Sequence, residues 1–100
     1  MEKTEGQWNK TDKILFNPSA FKHGFSEADI LKAIESKIYE GAVQDFDNKY
    51  AIIGFDTKGN LLEILYNIID NESINVYHAM KCRSSFLEQH KNMRGKSKWR

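Results

Sequence analysis

The chain has 100 residues, 40% of them hydrophobic and 29% charged, with a formal net charge of +1. That length suits one domain, and the composition is globular rather than disordered, collagenous or membrane-embedded. No apolar run approaches the roughly 18 residues of a spanning helix, the opening residues are polar without a signal-peptide pattern, and the lone Cys82 allows no internal disulfide, so the expectation is a cytoplasmic protein with no membrane partner.

The near-zero net charge conceals a split. Residues 81–100 carry seven basic residues against Glu88 alone, or +6, whereas residues 1–80 carry eight basic and thirteen acidic, or −5. Such a division points to a polyanion or an acidic protein as partner, or to a solvated tail.

Residues 1–13 lack a periodic apolar pattern and read as a flexible N-terminal arm. Ile14, Leu15 and Phe16 form a short apolar patch, and Asn17-Pro18 is a helix start: Asn caps, and Pro is tolerated at the first helical position. Gly24 ends this short first helix as its C′ glycine. Ser26-Glu27-Ala28-Asp29 has the form of a capping box, and Phe25 and Ile30 have the spacing of a hydrophobic staple. Ile30, Leu31, Ile34 and Ile38 recur at helical spacing, which predicts a second helix over residues 27–37.

Four strands are then expected. The weakest covers residues 39–44, followed by 49–56, 61–69 and 74–80, separated by polar turns at residues 57–60 and 70–73. Ser84 or Ser85 caps a final helix through about residue 92, and residues 93–100 form a basic, unpatterned tail. The predicted order α-α-β-β-β-β-α makes an α+β domain over residues 14–92: an antiparallel meander of about four strands, with the helices packed on one sheet face.

Several chemistries lack their signals. Gly54 and Gly59 precede no helix, so there is no phosphate-binding glycine loop. His23, His78 and His90 have neither zinc-finger spacing nor cysteine partners, so no metal and no cofactor is expected. Asp45 and Asp47 fit a solvated turn. The histidines have structural readings as well as functional ones. His78 shares the alternation of Val76 and Met80, as a core histidine does, and His90 suits the C-terminal end of a helix dipole.

The segment running from Phe16 through Lys22-His23-Gly24 and Ser26-Glu27 to Ile34 resembles the opening of the BrnT-like toxins, small bacterial proteins of the RelE-type ribonuclease group. The stretch from Ala51 through Gly54, Gly59, Leu61 and Leu62 to Ile64 resembles that family's central hairpin, and His78-Ala79-Met80-Lys81-Cys82-Arg83 resembles its passage from the last long strand into the final helix. The likeness covers about residues 14–90 in the right order. The spacing before Lys22-His23-Gly24 is tighter than in the family, and the basic cluster at Lys81 and Arg83 is thinner.

The resemblance implies the toxin of a type II toxin–antitoxin system, a metal-independent mRNA endoribonuclease held by a cognate antitoxin and acting on free or ribosome-bound mRNA, with a homodimer inside the complex as a further expectation. The chemistry needs a proton acceptor for the RNA 2′-hydroxyl, a proton donor for the leaving oxygen, and cations for the phosphorane. On that basis Arg83 clamps the scissile phosphate, Lys81 supports it, and His78 or His90 serves as acid or base, with Glu88 as an alternative base. Lys22, His23, Lys91, Arg94, Lys96, Lys98, Trp99 and Arg100 are the candidate RNA contacts. The alternative is a module that binds RNA or protein without catalysis.

Overall fold

The structure is a computed structural model that describes the backbone of residues 13–95 and the side chains of residues 13–90. Along the chain it forms β1 (Lys13–Phe16), a 3-10 turn (Pro18–Phe21), α1 (Glu27–Glu35), β2 (Lys37–Ala42), β3 (Tyr50–Phe55), β4 (Leu61–Asp70), β5 (Ser73–Lys81) and α2 (Ser84–Gly95). The α+β class is as expected. The sheet, however, has five strands in the order β1-β5-β4-β3-β2, and β1 lies parallel to β5, so it is mixed rather than an antiparallel meander. The apolar patch 14–16 is that extra strand. The expected first helix is only a single 3-10 turn, with the Asn17 side chain accepting from the Ser19 N–H.

Local signals account for most boundaries. At α1, Ser26 Oγ accepts from the Asp29 N–H at 3.1 Å and Asp29 Oδ2 accepts from the Ser26 N–H at 3.0 Å, the reciprocal capping box. Ile30 is buried and Phe25 packs against the same cluster, as a staple requires. Helix α1 stops at Glu35, short of the expected residue 37, because Lys37 already pairs with Gly54. In the β3–β4 turn, Asp56 Oδ1 accepts from the N–H groups of Lys58 and Asn60, and Gly59 takes φ +85°.

Strand alternation then sorts side chains onto two faces. Ile52, Leu62, Ile64, Tyr66, Ile74, Val76 and Ala79 meet Ile30, Ala33 and Ile34 of α1 on one face. Tyr39, Ala51 and Ile53 meet Phe86 of α2 on the other. The helices therefore cover opposite faces of the sheet, not one. Each fully buried Ile or Leu contributes about 1.5–3 kcal/mol, so both layers matter to stability. Gly54 permits the first layer: a Cβ there would lie 1.9 Å from the Ala33 carbonyl oxygen. Among the described residues no helix is long and apolar enough to cross a membrane.

One irregularity in β5 positions the site. Tyr66 faces Val76, whereas its neighbour Leu65 faces His78. Tyr77 is thus an extra residue, a β-bulge, and the bulge moves His78 from the α1 face to the α2 face. The simple alternation of Val76 with His78 breaks here, although Met80, opposite Glu63, stays on the His78 side.

Candidate functional site

The centre of the α2 face is a carboxylate. Glu63 is fully buried in β4, between Leu62 and Ile64. A buried carboxylate must be paired and hydrogen-bonded, and the segment joining β5 to α2 supplies the partners. Glu63 Oε1 accepts from the Arg83 backbone N–H at 3.0 Å and from Arg83 Nε at 3.1 Å, while Oε2 accepts from the second guanidinium nitrogen at 2.5 Å. His78 Nε2 lies 2.9 Å from Oε2. Arg83 also begins α2, since its carbonyl accepts the first helical bond, from the Leu87 N–H at 3.0 Å. The cap position thus falls on Arg83, one residue before the serines expected to fill it.

Burial pushes the Glu63 pKa upward, but the bonds from the Arg83 side chain and backbone and from His78 outweigh it and hold the carboxyl below its ordinary range. The pair with Glu63 raises Arg83 further above its usual value. Both groups are therefore ionised at neutral pH. An ionised carboxylate accepts only, so His78 Nε2 carries the proton of that bond. The other ring nitrogen, Nδ1, makes no hydrogen bond among the described residues. The His78 side chain is 22% exposed and that of Arg83 55%, against 0% for Glu63. An inner anion thus holds two outer groups that reach solvent.

His23 joins them. Its ring lies edge to face with His78, with 5.8 Å between centroids and 72° between planes. The two histidines are far apart in sequence, and the β5 bulge together with the 3-10 turn brings them together. The Asn17 N–H donates to the Val76 carbonyl at 2.9 Å and Ser19 Oγ to the Tyr77 carbonyl at 2.6 Å, while Gly24 takes φ +90°.

The other candidates are placed elsewhere. Lys81 is exposed and pairs with Leu62, on the α1 side of the sheet. Glu88 is exposed on α2, on the solvent side relative to buried Phe86 and His90. His90 is 2% exposed, with its ring tilted against those of Phe86 and Tyr39 at 4.3 Å and 5.6 Å between centroids, and its Nδ1 has no partner among the described residues. Burial lowers its pKa, only partly opposed by Glu63, so it is neutral. Cys82 is half-buried, and burial followed by the nearby Glu63 charge pushes its thiol up to about 11, which suits an unreactive thiol. Lys22 is exposed at the end of the 3-10 turn. Lys91 and Arg94 lie in α2 with side chains outside the described residues, and Lys96, Lys98, Trp99 and Arg100 lie outside them altogether.

Glu63 is the site residue that sequence reasoning missed. Its signal was a single acidic residue inside the otherwise apolar run Leu-Leu-Glu-Ile-Leu-Tyr. Among the described residues, no three His, Cys, Asp or Glu side chains come together as a metal-holding group. No family model, curated protein or solved structure matches this chain.

Proposed function

We propose that the chain is a metal-independent endoribonuclease, a translation-inhibiting toxin of the kind its sequence resembles, kept in check in the cytoplasm by an antitoxin. The observation that carries this reading is the Glu63–His78–Arg83 arrangement. A buried carboxylate holds a partly exposed imidazole through Nε2 and leaves Nδ1 without a bond among the described residues, beside an exposed guanidinium. Oriented in this way, His78 accepts the 2′-hydroxyl proton, and the Arg83 donors that Glu63 does not use bind the scissile phosphate. Glu63 is a positioning residue, because it is buried and already saturated with donors. The +6 segment from residue 81 onward supports both RNA as substrate and an acidic antitoxin as partner.

One observation favours the alternative of a binding module without catalysis. Glu63 neutralises Arg83, so the ion pair at the centre of the cluster holds no surplus positive charge.

The test is incubation of the purified full chain with a short RNA of mixed sequence, beside its His78→Ala form, with folding of both checked by thermal melting. Cleavage to 2′,3′-cyclic phosphate ends, reduced by about 10²–10⁴-fold in the variant, is the expected result. RNA that stays intact but migrates as a complex selects the binding module. Intact, unbound RNA refutes cleavage and RNA binding alike and leaves only a module that binds protein. Arg83→Ala is the wrong variant for this purpose, because it strips a buried carboxylate of its partner.

A further inference from the structure

The cleavage reading requires two proton transfers, and the Glu63–His78–Arg83 arrangement supplies an acceptor but no donor. Glu63 is ionised and buried. His90 is enclosed by Phe86 and Tyr39, and Glu88 is on the solvent side of α2. Among the described residues, a second titratable side chain besides Glu63 does meet His78: His23, whose ring lies 5.8 Å away, edge to face. Its approach is built into the fold. The Asn17 and Ser19 bonds tie the preceding turn to Val76 and Tyr77, the two residues just before His78. His23 itself is exposed and makes no hydrogen bond among the described residues, so no structural partner claims its nitrogens.

We infer, resting on the ribonuclease reading, that His23 is a second catalytic residue: the general acid that protonates the leaving 5′-oxygen while His78 acts as base. In the step, the 2′-hydroxyl loses its proton to His78 Nδ1 and its oxygen bonds to phosphorus. The bond from phosphorus to the 5′-oxygen breaks, and that oxygen takes the proton of the His23 imidazolium. The products are a 2′,3′-cyclic phosphate and a 5′-hydroxyl end. His78 leaves the step protonated and His23 neutral, and exchange with solvent restores both. Two imidazoles side by side, one fixed by a carboxylate and one held by a turn, can thus serve opposite sides of one phosphate. Arg83 balances the charge that develops on it.

The experiment uses two RNA oligonucleotides of the same sequence, one of them with sulfur in place of the bridging 5′-oxygen at the cleaved linkage. A thiolate leaves without protonation, so the sulfur substrate needs a base but no acid. Full-length wild type, His23→Ala and His78→Ala are compared on both, each confirmed folded by its melting curve. The expected result is that His23→Ala cuts the oxygen substrate about 10²–10⁴-fold more slowly yet cuts the sulfur substrate at close to the wild-type rate, while His78→Ala is slow on both. Equal losses on both substrates for His23→Ala, or no loss on either, overturn the assignment and leave the ribonuclease reading standing. A wild-type chain that cuts neither substrate overturns the reading and the assignment together.

Discussion

Replacing Arg83 by Ala tests the energetics of the buried carboxylate. The substitution removes two charge-assisted bonds to Glu63, from Nε and from the second guanidinium nitrogen, but leaves those of the Arg83 backbone N–H and His78. Bonds to charged groups contribute about 1.5–3 kcal/mol each. The Arg83 side chain is 55% exposed, so solvent screening places each at the low end. The expected loss is therefore about 3 kcal/mol near neutral pH, or a fall in Tm of roughly 12–24 °C for a domain of this size. Its pH dependence has a definite sign. In the wild type the Glu63 pKa lies below its ordinary value of 4.5, so its contribution is present above that pH and is lost as pH falls through the folded value. Once the carboxyl is protonated, Arg83 has little left to hold. The deficit of the variant should thus be largest near pH 7 and shrink below about pH 4.5. Urea denaturation of both proteins across that range measures it. A variant within about 0.5 kcal/mol of wild type at pH 7, the size of an ordinary surface change, or a deficit that is independent of pH, refutes the argument.

Two further outcomes follow from the packing. His90 is buried and neutral with its pKa depressed below 6.5, so the unfolded chain takes up the proton more readily and stability should fall as pH drops below that value. His90→Leu should remove that dependence and leave stability at pH 8 equal or higher by about 1 kcal/mol, since a buried nitrogen with no partner among the described residues is lost; denaturation at pH 5 and pH 8 checks both. Gly54→Ala should cost about 3 kcal/mol or more, because its Cβ meets the Ala33 carbonyl oxygen and α1 must lift from β3. A Tm within a few degrees of wild type would contradict that packing.

What sequence alone determined about this protein is what neighbouring residues decide. The capping box at Ser26 and Asp29, the glycine turns at Gly24 and Gly59, and the strands near 49–56, 61–69 and 74–80 each depend on side chains a few residues apart, and each is legible in the order of residues. Arg83 and His78 stood out in the sequence because their residue types suit phosphate binding and proton transfer, and the structure places both against Glu63. The tertiary structure decided the rest, because those features depend on partners distant in sequence. Residues 14–16 become a strand only by lying parallel to Ile74–Val76. The helices separate onto opposite faces because the central strands β3 and β4 bury residues on both of their sides. The bulge at Tyr77 appears only in the pairing of β5 with β4, and it turns His78 toward Glu63. Glu63 itself, an ordinary acidic residue in the sequence, becomes the centre of the site once the sheet buries it and Arg83, twenty residues later, closes over it.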